Sequence, residues 1–194
     1  WASEADAAVD EAYRRQALDG GLAGEIISIA AVTPDGRQWV RCRAQGEPEA
    51  ALLVAFGAQV ETWIDQDARA VAEGFNFAQD PYLIAHNAAF DLGFLWRRCI
   101  VNGVRLPFKV PGPMARAGQH YGDTMLAWSG FGQRVGLDAL CRALGVPSPK
   151  AGGFDGSQVF DAWLAGKHEQ IAAYNLADAL ATLEVWHRLQ GGAA

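Results

Sequence analysis

The spacing of apolar and polar residues changes along the chain, and each change marks an element. Residues 4–18, EADAAVDEAYRRQAL, read as a polar helix stopped by Asp19-Gly20-Gly21. Residues 25–32, EIISIAAV, are rich in β-branched side chains and predict a strand. Pro34-Asp35-Gly36 signals a turn, and RQWVRCR then alternates as the second strand of a hairpin. Residues 48–73 read as one or two helices, Leu83-Ile84-Ala85 as a short buried strand, and 88–101 as a helix. Residues 103–135 hold three of the eight prolines and many glycines and show little regular pattern. A stretch of that kind and length is usually functional or mobile. LDALCRALG reads as a short helix ending at Gly145, and FDGSQVFDAWLAG as another, capped by Asp155 or Ser157. A long helix, HEQIAAYNLADALATLEVWHRLQ, closes on Gly191-Gly192. Early strands mixed with later helices predict an α/β domain with no internal repeat and no second domain, so residues 1–194 form one unit.

Composition narrows the class. The chain has 194 residues, 51% hydrophobic and 20% charged, which is ordinary for a soluble globular protein. No apolar run reaches the length of a membrane span, and no secretory signal pattern opens the chain. Cys42, Cys99 and Cys141 are far apart and form no CxxC pair, which predicts reduced thiols in a cytoplasmic protein. The net charge is −6, but it is unevenly spread. Residues 1–96 hold 6 basic and 15 acidic side chains, residues 97–150 hold 8 and 2, and residues 151–194 hold 2 and 5. The middle is thus a basic segment in an acidic protein. It reads either as a polyanion-binding face or as scattered solvated surface.

Two carboxylates stand out. Asp91 sits among Phe90, Leu92, Phe94 and Leu95 in the first turn of a helix that follows a buried strand. A helix start suits a negative charge, so an ordinary N-terminal Asp is the plain alternative to a functional one. Tyr174 and Asp178 are four residues apart and share one face of the last helix, where a surface Asp beside an amphipathic Tyr is the plain alternative. His86 reads as structural, and His120, His168 and His187 as surface residues without metal-like spacing. Trp96, Trp163 and Trp186 read as packing residues.

Taken together, Asn87-x-x-Phe90-Asp91 after a short apolar strand and Tyr174-x-x-x-Asp178 on a long helix resemble two motifs of the DEDD 3′–5′ exonuclease superfamily. Tyr174 stands where the DEDDy subtype has its tyrosine; the histidine of the other subtype would fall on Ala173. Asp123-Thr124, LDALCRALGVPSPK and the C-terminal helix extend the likeness to the stand-alone exonucleases related to the proofreading domain of family B DNA polymerases, over roughly residues 25–190. The resemblance implies a ribonuclease H-like fold, with a mixed central sheet flanked by helices. It implies a nuclease that removes nucleoside 5′-monophosphates from the 3′ end of single-stranded DNA or RNA, using two Mg²⁺ or Mn²⁺ ions. Such hard cations require oxygen ligands. On this reading Asp91 and Asp178 hold metal, Tyr174 orients the attacking water, and Asn87 and Phe90 hold the terminal nucleotide. The basic segment, Lys150 included, contacts phosphate, with Trp128 and Phe131 as stacking platforms. Asp123 and Thr124 contact the substrate or brace the site.

The sequence departs from that pattern at one place. The family's first motif, Asp-x-Glu on the opening strand, is not found. Glu4-Ala-Asp6, Glu47-Pro-Glu49 and Asp65-Gln-Asp67 follow no β-branched run and do not qualify. The expectation is that a segment bearing this strand precedes Trp1; the alternative is genuine loss of the motif. The second function class is therefore an inactive exonuclease-like module that binds nucleic acid or acts as a scaffold.

Overall fold

A computed structural model describes residues 21–71 and 80–191; the helix expected over 4–18 lies outside the described residues. The β-branched run forms strand β1 (Ser28–Val32), which pairs antiparallel with β2 (Gln38–Cys42) in the register Ser28↔Cys42 to Val32↔Gln38. The turn between them closes through Thr33 N–H to Arg37 C=O and Gly36 N–H to Thr33 C=O, both 2.9 Å. Gly36 has φ 92°, a conformation that carries no Cβ penalty only for glycine. Helix α1 (Glu49–Val71) follows, then β3 (Ile84–Ala85) and helix α2 (Ala88–Val101).

The irregular stretch 103–135 contains more order than its pattern predicts. It holds β4 (Gly122–Asp123), parallel to β3 with Ile84↔Gly122 and Ala85↔Asp123, and helix α3 (Thr124–Ser129). Six residues make fewer than two turns, too few for a helical period to show in sequence. Helix α4 (Leu137–Leu144) ends as expected at Gly145, in the left-handed conformation. The single helix expected over FDGSQVFDAWLAG is two pieces: a 3₁₀ turn at Gly156–Gln158, boxed by Asp155 and Gln158, then helix α5 (Val159–Leu164). Asp155 is the cap, and Ser157 donates to it. Helix α6 (His168–Gly191) closes the described chain.

The expected single central sheet is not what the described residues form. They make two separate two-stranded sheets, β1–β2 and β3–β4, in a mixed α/β fold. Helix α6 lies across both. Asn175 donates to Ser28 Oγ on β1 at 3.0 Å, while Trp186 packs against Tyr82 just before β3 and against Gly122 on β4. A Cβ at Gly122 would stand 2.9 Å from Ile84 Cγ1 and 3.0 Å from Trp186 Cη2, so glycine is what lets helix and strands approach there. One core joins Leu53, Phe56, Val60 and Trp63 of α1 to Leu95 and Cys99 of α2 and to Phe108. A second packs Leu140 and Cys141 of α4 on Ala181 and Val185 of α6. No helix among the described residues is long and apolar enough to cross a membrane.

A buried ion pair locks α1 to α2. Arg98 donates to Glu49 at 2.7 Å, and Glu49 also accepts from Ile26 N–H at 2.7 Å and Asn102 Nδ2 at 2.6 Å. Burial opposes the charge on Glu49, yet Arg98, the Ile26 amide and Asn102 together hold its pKa below the ordinary value. Breaking such a pair by removing one partner typically costs about 3–5 kcal/mol, because the other charge is left buried alone. Glu49→Ala should lower the unfolding free energy in urea by that order; a loss below about 1 kcal/mol would show the pair to be dispensable. Because the folded pKa is depressed, the carboxylate stabilises above the ordinary glutamate range. That contribution disappears as pH falls through the folded value, so wild type and Glu49→Gln should converge in acid.

Candidate functional site

The site begins where β3 turns into α2. Asn87, between them, has φ 59° and ψ 46°, the left-handed conformation that Asn adopts more readily than most side chains. Its side chain caps nothing. The helix start is capped instead from another element: Asp123 on β4 accepts from Asn87 N–H at 3.2 Å and Ala88 N–H at 2.9 Å. The same carboxylate accepts from Met125 N–H at 2.9 Å and Leu126 N–H at 3.2 Å, capping α3. Asp123 is 3% exposed and spends its oxygens on four backbone donors. Thr124 is fully buried, its hydroxyl 2.9 Å from His86 Nδ1. His86 Nε2 lies 2.9 Å from the Val135 carbonyl, which can only accept, so Nε2 carries the proton and Thr124 donates to Nδ1. Burial lowers the His86 pKa and keeps the ring neutral.

Asp91 stands one turn into α2, and Phe90 beside it is partly exposed with its ring 5.8 Å from Phe94. Protein atoms crowd around Asp91, yet solvent still reaches its side chain. Its pKa is pushed up to about 7, first by lost hydration and then by the negative charges of Asp123 and Asp178. Asp178 reaches this charge field from α6. Burial raises its pKa, while a hydrogen bond from Tyr174 and the charge of Lys150 work the other way. The two acids share one repulsion. Tyr174 and Lys150 ease the charge on Asp178.

Tyr174 is packed by Phe154, which meets its ring edge-on at 5.3 Å. Burial, the Asp178 charge and the hydrogen bond to Asp178 all raise the phenol pKa, so it stays a donor. Lys150 is exposed in the 3₁₀ turn Pro149–Gly152. The tertiary structure thus places Asp178 within electrostatic range of Asp91 on one side and of Lys150 on another, with Tyr174 beside it and with Asn87 and Phe90 on the same turn as Asp91. Asp123 and Thr124 lie buried beneath that turn. Sequence reasoning missed Phe154, which carries no signal. It also missed the capping by Asp123, although an Asp before a helical run is a readable N-cap. Among the described residues no three or more His, Cys, Asp or Glu side chains are grouped to hold a metal ion. Asp91 and Asp178 offer carboxylate oxygens that suit a hard dication and whose repulsion one would relieve, but two carboxylates are fewer than it needs.

A family model described as a predicted 3′–5′ exonuclease related to the exonuclease domain of PolB matches residues 25–193. No curated protein and no solved structure matches the chain.

Two outcomes follow from this geometry. Asp123→Ala removes the acceptor of four buried or half-buried amides and should cost about 2–4 kcal/mol, with faster hydrogen exchange at Ala88 and Met125; unchanged exchange there would refute the double cap. The Asp91 pKa is raised in the fold, so the stability it contributes is present in acid and is lost as pH rises through about 7. The metal-free Asp91→Asn variant should therefore melt higher than wild type at pH 8 and alike at pH 4. Equal melting at both would show that Asp91 carries no electrostatic strain.

Proposed function

Because this chain belongs to the family of predicted 3′–5′ exonucleases related to the exonuclease domain of PolB, we propose that it hydrolyses phosphodiester bonds from the 3′ end of single-stranded nucleic acid and releases nucleoside 5′-monophosphates. The observation that carries this reading is the convergence of Asp91 and Asp178, from helices about 90 residues apart in sequence, beside a phenol that donates to Asp178. Two carboxylates held against their own repulsion are costly to a fold unless a cation repays them. Two Mg²⁺ or Mn²⁺ ions, when bound, neutralise the scissile phosphate, lower the pKa of a water and stabilise the leaving oxygen. Asp91 and Asp178 would hold them together with further oxygen ligands. Tyr174, packed edge-on against Phe154, keeps its proton and orients the attacking water through its hydroxyl. The Asn87 amide, not used as a helix cap, hydrogen-bonds the terminal nucleotide, and Phe90 offers it an apolar face. Lys150 draws the phosphate toward Asp178. Asp123, Thr124 and His86 keep the Asn87–Asp91 turn in place from beneath.

The further oxygens that two ions require come, in this reading, from a strand that completes a ribonuclease H-like sheet. Two features support it. Among the described residues β1 pairs only with β2, and β3 only with β4, which leaves an open edge on each pair. Helix α6 spans both pairs, with Asp178 on the stretch between its contacts to Ser28 and to Gly122.

The absence of a three-ligand cluster among the described residues favours a second reading, an inactive module that binds nucleic acid without cutting it. A 5′-labelled single-stranded oligonucleotide incubated with Mn²⁺ separates the two. The nuclease gives a ladder of shortened products, and Asp178→Ala lowers the rate by about 10³-fold or more, the several kcal/mol that a metal site contributes. Tyr174→Phe lowers kcat with little change in KM. Binding without any shortening supports the inactive module.

A further inference from the structure

The segment that links α3 to α4, residues 128–136, exposes what a soluble protein normally covers. Phe131 is 91% exposed and Trp128 50% exposed, and neither ring packs on another ring among the described residues. Phe131 stands between Gly130 (φ 65°, ψ −163°) and Gly132 (φ 97°), and this backbone presents the ring outward. Both ends of the segment are tied down. Gly130 N–H donates to Leu126 C=O at 2.8 Å on a helix that Asp123 caps, and Val135 C=O accepts from His86. His86 immediately precedes Asn87, so the segment is anchored to the turn that carries Asn87 and Asp91. Its charge has one sign. From Thr124 to Leu137 the sole charged side chain is Arg134, which is exposed and in no ion pair among the described residues. The nearest acids are occupied: Asp123 by four amides, Asp138 by Arg142 at 2.9 Å and by Ser148.

We infer that Trp128, Phe131 and Arg134 form a platform on which bases of a single-stranded nucleic acid stack while its 3′ end lies at Asp91 and Asp178. This rests on the function proposed above and adds how the strand is gripped. Two open aromatic rings and one unpaired guanidinium carried on one short, anchored segment suit the bases and phosphates of a single strand, and a duplex offers no free base faces. Charge of one sign with no free carboxylate suits a polyanion better than a second copy of this acidic chain.

The test measures binding of the full chain to a fluorescent single-stranded oligonucleotide in EDTA, against an abasic oligonucleotide of the same length. Wild type should bind the base-bearing strand at least about five-fold more tightly, since stacking contributes a factor of roughly 5 to 150 per base. Phe131→Ala and Trp128→Leu should each reduce that preference, and the pair should abolish it, with the thermal midpoint of Phe131→Ala unchanged. Arg134→Gln should leave the preference and lower the salt slope by about one phosphate contact. Equal binding of base-bearing and abasic strands by wild type overturns the platform. So does a preference that survives both aromatic substitutions, or self-association that Phe131→Ala removes. In those cases the exonuclease reading stands. Binding of no oligonucleotide by wild type overturns both.

Discussion

The architecture of the site depends on one buried carboxylate. Among the described residues Asp123 has no counter-ion in contact, and burying such a charge is tolerable only when its lone pairs are filled. Four backbone N–H groups fill them, two from the start of α2 and two from the start of α3. Charge-assisted bonds of this kind are about twice as strong as neutral ones, and each helix dipole adds to them. The parallel pair β3–β4 is only two residues long and is a weak joint by itself. Asp123 makes it rigid, because a carboxylate on β4 holds the helix that leaves β3. His86 and Thr124 repeat the connection with neutral groups, joining the end of β3 to α3 and to Val135.

Around that satisfied acid stand two that are not. Asp91 meets the charges of Asp123 and Asp178 and has no cation of its own, and its pKa rises to about 7. Asp178 is eased by Tyr174 and Lys150 but still lies above the ordinary range, mainly through burial. Elsewhere the protein pairs its buried charges, as in Glu49 with Arg98. Asp91 and Asp178 therefore differ in kind from the structural acids, and perturbed carboxylates of this sort are what the proposed function draws on.

Much of this was legible in the chain. LIAHNAAFDLGFL reads as strand, turn and helix because its apolar run ends at Asn87 and resumes at helical spacing, and β3, the left-handed Asn87 and α2 follow that reading. Tyr174 and Asp178 share a face because four residues make about one helical turn, which is a local property. The stop at Gly145 is local too. The short helix Thr124–Ser129 was not legible: it is too brief to show a period and sits among turn residues. The break at Asp155–Gln158 was hidden because a capping box can open a 3₁₀ turn as readily as a helix.

The sequence by itself determined what depends on neighbours along the chain: element types, caps, the face shared by Tyr174 and Asp178, the uneven charge, and the motifs that mark a 3′–5′ exonuclease family. Only the tertiary structure decided that Asp123 caps two helices at once, that Phe154 packs edge-on against Tyr174, that the strands among the described residues form two separate pairs, and that Asp91 shares a charge field with Asp178. The reason is distance. Capping and periodicity act over one or two turns of chain, whereas repulsion and burial depend on separation in space, which no spacing in sequence encodes.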